Sequence, residues 1–215
     1  MTARELQLLE EGIATLGLRL DDSQVRSLQR YAAEIELWNP RLGLVHAAGS
    51  ELICKHFLDS LAAVPYIEGL IGSHETAAAD LGSGNGFPGV VLAIALPQLR
   101  ITLVERSGKR CGFLRNVAAL LPEVSLTVQQ QDLSGVAGSY QLLVSRAFRP
   151  LQPAIVEQMQ RITADNGSWV LYKGDHDTAR QELDSAGLAA SIVPLEVPGV
   201  EGKRCLAVCR FGQQG

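Results

Sequence analysis

The sequence has no apolar run of the ~18 residues that a membrane span requires. Its start, Met1-Thr2-Ala3-Arg4-Glu5, leads into an acidic amphipathic segment rather than a signal peptide. A cytoplasmic chain with no membrane partner is expected. Positive charge is not in excess: 19 Lys and Arg against 23 Asp and Glu give a formal net charge of −4. Any attraction to nucleic acid must therefore come from a local patch. Cysteines are few, at positions Cys54, Cys111, Cys205 and Cys209. The last two share a face of an apparent strand but lie ~13 Å apart at ~3.3 Å per residue, too far to bridge or to share a metal. Buried free thiols are the expected state. No G-x-S-x-G elbow and no P-loop lysine follow the glycines, which removes the common hydrolase and NTPase readings. His56 and Asp59 stand three apart on a helix without a second pair at ligand spacing, so a structural hydrogen bond is expected there rather than a metal site.

What is present fits one well-buried domain with an appendage: 215 residues, 47% apolar and 20% charged. Residues 1–72 read as a helical extension packed on the core. Leu6, Leu9, Ile13 and Leu16 recur at helical steps until Gly17. Asp21, Asp22 and Ser23 offer caps for a second helix through Val25, Leu28, Ala32, Ile35 and Trp38, which Asn39-Pro40 is expected to break. Ser50 begins a third, carrying Leu52, Ile53, Phe57, Leu58 and Leu61. Over 73–215 short apolar runs alternate with helical stretches, with strands expected at 77–81, 101–104, 124–128, 142–144, 168–172, 189–195 and 205–211. This rhythm predicts a Rossmann-like α/β unit with a mostly parallel seven-stranded sheet. Pro194, Pro198, Gly199 and Gly202 suit a hairpin return of the last two strands at an edge.

Between the first strand and the next helix lies Asp80-Leu81-Gly82-Ser83-Gly84-Asn85-Gly86-Phe87-Pro88-Gly89. Glycines at alternate positions let the chain turn sharply and approach a ligand, and Pro88 suits the first turn of a helix whose N-terminus favours an anionic group. Ligands of a parallel sheet sit beyond the carboxyl ends of its strands. That rule gathers the turn, Glu105, residues 131–133 and 145–148, and Lys173-Gly174 into one expected cleft. Glu105 stands where an acid accepts hydrogen bonds from ribose hydroxyls, with a solvated strand-end acid as the alternative. Asp132 is placed to accept from an adenine amino group, or simply to serve a turn. Gly84, Gly86 and Gly89 also satisfy G-x-G-x-x-G, which keeps a dinucleotide-dependent oxidoreductase open. The register Gly82-x-Gly84-x-Gly86 directly after the strand, with Asp80 before it, instead suits S-adenosylmethionine, whose amino-acid tail needs an acceptor and donors. Arg106, Lys109, Arg110 and Arg115 form a basic run without an acid, joined by Arg100, Arg146, Arg149 and Lys173. Such a cluster suits phosphate contacts that position an RNA without reading its bases; a solvated helix face is the alternative.

In order and spacing, Trp38-Asn39, Lys55-His56-Phe57-Leu58-Asp59-Ser60-Leu61, Asp80 to Gly89, Gly108-Lys109-Arg110 with Phe113-Leu114, Ser145-Arg146-Ala147 and Lys173-Gly174 resemble one family. It is the bacterial 16S ribosomal RNA guanine-N7 methyltransferases, once named glucose-inhibited division protein B. The resemblance implies a class I methyltransferase fold, S-adenosylmethionine as donor without a metal, and a guanine of the 16S rRNA decoding-region loop as acceptor. The partner is then the small ribosomal subunit or its assembly intermediate, and a monomer is expected. The family's cofactor contacts fall on Gly82, Phe87, Asp132, Leu133 and Arg146. Two stretches depart from the pattern. Gln131-Asp132-Leu133 replaces an arginine, a small residue and an acid, which shifts the adenine contact by one residue. Gly43-Leu44-Val45 replaces Asn-Leu-Thr, which removes that loop's polar side chains. Guanine N7 has an available lone pair at neutral pH, so methyl transfer needs alignment but no base. In keeping with this, Ser145-Arg146-Ala147-Phe148 stands in place of the Asn/Asp-Pro-Pro-aromatic run of amino-group methylation. No residue is therefore named as acid or base. Arg146 is expected to organise the cleft, and Phe148 to stack on a base or pack in the core. A non-catalytic RNA-associated module is the remaining alternative.

Overall fold

A computed structural model describes residues 1–212. Helix α1 (Ala3–Thr15) begins with a capping box: the Thr2 hydroxyl accepts from the Glu5 N–H, and the Glu5 carboxylate accepts from the Thr2 N–H. Asp21 and Gln24 repeat the arrangement at the start of α2 (Asp22–Leu42). Contrary to expectation, α2 passes through Asn39-Pro40 and ends on Gly43 at φ 57°. Pro40 lies in the last turn, where its missing N–H removes a single bond, and Gly43 N–H donates to Asn39 O at 2.9 Å. The third helical stretch has three parts: α3 (Ser50–Leu52), a π-helical segment (Ile53–Leu58) and α4 (Asp59–Leu61). Segments of π-helix are frequent at functional sites, and this one carries Lys55 and His56. A further helix not anticipated from the sequence, α5 (Val64–Ile71), has Pro65 in its first turn and ends at Gly72.

Seven strands follow: β1 (Thr76–Leu81), β2 (Leu99–Glu105), β3 (Leu126–Gln130), β4 (Tyr140–Arg146), β5 (Thr163–Lys173), β6 (Ser191–Leu195) and β7 (Arg204–Arg210). They form one sheet in the order β3-β2-β1-β4-β5-β7-β6. The first five are parallel, and β7 runs antiparallel between β5 and β6. The edge hairpin is thus as expected, and Pro194 is accommodated in the edge strand β6. Strand β3 starts two residues later than the apolar run suggests, because the Val124 N–H closes a turn onto Leu121 O at 3.0 Å. Helices α6 (Gly89–Ala95), α7 (Gly108–Leu120), α8 (Pro153–Arg161) and α9 (His176–Ser185) complete the layers. The strand order reverses direction between β1 and β4, which places a ligand crevice at their carboxyl ends.

The N-terminal helices share a core with one face of the sheet: Leu9, Leu28, Tyr31 and Phe57 are buried with Val90, Leu92, Leu103 and Val170. On the opposite face a second cluster gathers Leu143, Met159, Trp169 and Leu183. All four cysteines are buried and free. Two hydrogen bonds tie the N-terminal helices and the loop after them to the glycine turn. The fully buried Tyr31 hydroxyl donates to Asn85 O at 2.6 Å, and Asn85 Nδ2 donates to Leu44 O at 3.1 Å. Replacing Tyr31 by Phe deprives the Asn85 carbonyl of its donor and is expected to cost about 1 kcal/mol. A lower urea midpoint at unchanged slope is the expected reading; an unchanged midpoint would show that this bond does not secure the turn.

Candidate active site

The turn between β1 and α6 is held by backbone bonds first. Gly82 and Ser83 N–H both donate to Val104 O, at 2.9 and 3.0 Å, which fixes the turn against β2. Gly84 has φ 59° and Gly86 φ 100°, conformations in which a side chain is strained. A Cβ on Gly86 would stand 2.7 Å from the Tyr31 hydroxyl and from Val90, so close packing also demands glycine there. Glu105, buried at the end of β2, accepts from Gly84 N–H through Oε2 at 3.0 Å and from Ser107 N–H through Oε1 at 2.8 Å. Beside it opens a cleft of about 230 Å³ at the ends of the first four strands, lined by Gly82, Glu105, Arg110, Asp132, Leu133 and Phe148 among others.

A second cavity of about 540 Å³ lies beyond β4 and β5, lined by His56, Asp59, Arg146, Phe148, Tyr172 and Arg204 among others. The single cleft expected from the sequence is therefore two spaces with Ala147 and Phe148 common to both. Their wall has a local cause. Ala147 takes φ 52°, unusual for a residue with a side chain, and Phe148 lies against Gly82 so closely that a Cβ on Gly82 would be 2.5 Å from its ring.

Arg146 anchors the second cavity. Its Nη1 donates to Asp59 Oδ2 at 2.8 Å and to Lys55 O at 3.2 Å, and its Nη2 donates to His56 Nδ1 at 2.8 Å. Arg204 Nε donates to the other Asp59 oxygen at 3.2 Å. The guanidinium also lies 5.2 Å from the centroid of Phe87, within cation–π range. Burial, then the Arg146 charge, depress the His56 pKa to about 4, so the ring is neutral. His56 and Asp59 are thus linked through Arg146, which their sequence spacing alone did not identify.

The family model of rRNA small subunit methyltransferase G matches residues 24–207. The chain belongs to this family. Relatives named ribosomal RNA small subunit methyltransferase G include one from Chromobacterium violaceum, 34% identical over 92% of this chain and 94% of that protein. Another, from Roseiflexus castenholzii, is 32% identical over 90% and 86%. Among solved structures, magnesium protoporphyrin IX methyltransferase from Synechocystis with bound SAM matches with a TM-score of 0.58 at 16% identity, covering 90% of this chain and 98% of that one. A putative S-adenosylmethionine-dependent methyltransferase from Methanococcus maripaludis gives 0.58 at 16% identity, covering 86% and 93%. At these identities the structural likeness concerns the fold, which is that of S-adenosylmethionine-dependent methyltransferases.

Within this family member, the residues singled out from the sequence divide into groups. Gly82, Glu105, Asp132 and Leu133 line the first cleft, as do Arg106 and Arg110. Arg146 and Lys173 line the second cavity instead, and Phe148 borders both. Gly84 is half-buried, while Gly86 and the Phe87 side chain are buried. The Phe87 ring packs against Tyr31, His56 and Phe57. Lys109 and Arg115 are exposed on α7. Asp132 is already paired with Arg149, which holds its carboxyl below the usual range, and Lys173 is paired with Glu182 at 2.6 Å. Arg204, Tyr31 and the Arg146 network were missed because long-range pairing leaves no periodic signal. The helix N-terminus also differs from expectation: Gly89 N–H donates inward to Asp80 Oδ2 at 3.0 Å.

Asp80 is fully buried, and its Oδ1 has no hydrogen-bond partner. Burial outweighs the Gly89 bond and raises its carboxyl from 3.8 to about 7. The unfolded group ionises near its ordinary value while the folded one retains its proton to higher pH. Stability therefore falls as pH rises between these values. Asp80→Asn keeps a carbonyl acceptor for Gly89 and removes the titration. The variant is expected to gain stability over wild type as pH rises through that window, read as the difference between their urea midpoints. A difference independent of pH would show that Asp80 does not titrate there.

Proposed function

We propose that this protein transfers a methyl group from S-adenosylmethionine to N7 of a guanine in the decoding-region loop of 16S rRNA. In this reading the first cleft takes the cofactor and the second cavity takes the acceptor base. The observation that carries it is that, among the described residues, neither the carboxylate nor the imidazole lining the second cavity is free to take a proton. Asp59, the carboxylate that lines it, is held by Arg146 and Arg204. The His56 nitrogen facing Arg146 is occupied, and its pKa of about 4 makes the ring a poor proton acceptor at neutral pH. An acceptor that must lose a proton before attack would find nothing to take it. Guanine N7 needs no such step.

The first cleft fits the cofactor's chemistry. Glu105 spends one acceptor position of each oxygen on Gly84 and Ser107, leaving about two of four for ribose hydroxyls. Leu133 offers an apolar surface for adenine, and Asp132 an acceptor for its amino group in exchange with Arg149. Exposed Gly82 lets a ligand come close to the backbone. When bound, S-adenosylmethionine supplies an electrophilic methyl on a sulfonium: the S–C bond breaks as the N7–C bond forms, and a neutral sulfide leaves. The protein's part is alignment across the Ala147–Phe148 wall, with Phe148 as the stacking surface beside the acceptor. Residues 1–72 act as an extension that supplies Lys55, His56 and Asp59 to the acceptor cavity. Its rRNA substrate assigns the protein to the cytoplasm.

Arg106, Lys109, Arg110 and Arg115 supply phosphate contacts. Arg106 and Arg110 also border the cofactor cleft, so Lys109 gives the cleaner test. Lys109→Glu is expected to weaken RNA binding roughly threefold to tenfold at low salt, with S-adenosylmethionine affinity unchanged by calorimetry. Equal loss of both would assign α7 to the cofactor site alone. For the reaction itself, small-subunit rRNA incubated with the protein and isotope-labelled S-adenosylmethionine should yield labelled N7-methylguanosine on nuclease digestion and mass analysis. Label on an exocyclic amino group, or none, would overturn the proposed acceptor.

A further inference from the structure

We propose that His56 reads the acceptor guanine by donating its Nε2–H to O6, and that Arg146 positions it by occupying Nδ1. The inference rests on the methyl-transfer reading above. His56 stands on the π-helical segment and lines the second cavity together with Arg146, Phe148 and Tyr172. A guanidinium has donors only, so a Nη2–Nδ1 contact of 2.8 Å makes Nδ1 the acceptor and leaves the ring proton of neutral histidine on Nε2. Among the described residues no protein group takes that nitrogen. The ring is held in place by Phe87, at 5.0 Å between centroids. Arg146 is itself fixed by Asp59 and the Lys55 carbonyl.

The purine edge explains why such a donor is useful. Guanine presents N7 and O6 side by side, both acceptors, whereas adenine presents N7 beside an amino donor. An enzyme that alkylates N7 must leave that atom free, so O6 is the neighbouring group by which it can distinguish the two purines. An N–H fixed toward O6 pairs with guanine and opposes the adenine amino group, leaving donor against donor in a confined space. A neutral donor also suits a ring that gains positive charge as N7 takes the methyl, where an imidazolium would oppose it.

The test uses small-subunit rRNA assembled with guanosine, inosine or 2-aminopurine at the target position. Inosine keeps N7 and O6; 2-aminopurine keeps N7 and lacks O6. Wild type is expected to methylate guanosine and inosine at similar rates and 2-aminopurine on the order of tenfold or more slowly. His56→Leu should lower the first two toward the third, and His56→Gln, which retains an N–H, should recover part of the preference. S-adenosylmethionine affinity should be the same in all three proteins. Nitrogen NMR of isotope-labelled histidine should show neutral His56 protonated on Nε2, a signature lost in Arg146→Ala. Equal wild-type rates on guanosine and 2-aminopurine, a preference retained in His56→Leu, or an Nδ1-protonated ring would each overturn the inference while leaving N7 methylation intact. Failure of wild type to form N7-methylguanosine would overturn both.

Discussion

The ion pair between Arg146 and Asp59 joins parts of the chain that have no local reason to meet. Both side chains are largely withdrawn from water, at 17% and 6% exposure. Neither charge could be so placed without its partner. Desolvation offsets much of the attraction in such a pair, so its main consequence is geometric. The end of β4 is held against the π-helical segment, Lys55 O is captured in the same fork, and His56 is turned so that one nitrogen faces the guanidinium. Tyr172 strengthens the joint from β5 by donating its hydroxyl to Ser60 O at 2.9 Å. The second cavity is the space this arrangement leaves.

The glycine turn depends on the same joint from its other side. Phe87 lies under Arg146 and within the aromatic cluster of Tyr31 and Phe57, so the turn is packed against the helical extension as well as bonded to β2. Two amides that an open loop would present to an anion are spent internally, Gly84 on Glu105 and Gly89 on Asp80. A phosphate cradle needs such donors free. This turn instead presents the carboxylate of Glu105, a group suited to hydroxyls. The difference separates a nucleoside-type ligand from a pyrophosphate more sharply than the spacing of the glycines does.

Most elements could be read from the chain because their causes are local. Helical periodicity marked α1 and α2, Ser107 marked the start of α7, and Glu105 was located by its place at the end of β2. Errors arose where a local rule met a longer-range one. Pro40 was overruled because the turn that contains it is closed by Gly43. The π-helical segment has the same apolar residues as an α-helix would, and its register is apparent only from the backbone bonds. Asp80 was legible as an acid beside the turn, but not as a buried group bonded to Gly89. The division of the site into two cavities depends on the left-handed Ala147 and on Phe148 folding back to Gly82, which strand and helix patterns do not encode.

An acidic protein that acts on RNA must separate its charges by purpose. Lys173 is matched by Glu182, and Asp59 is shared by Arg146 and Arg204, so the cations around the second cavity are largely compensated. Methyl transfer moves a positive charge from sulfonium to purine without changing the total. A strongly cationic wall would oppose its arrival on the base, and a strongly anionic wall would hold it on the sulfonium side only if placed there. Compensated walls allow the charge to move with little electrostatic penalty. Exposed Lys109 and Arg115 remain to meet phosphates at the surface, where solvent screens them from the reacting atoms. RNA attraction and methyl transfer thus make opposite electrostatic demands, met by leaving outer cations free and pairing inner ones.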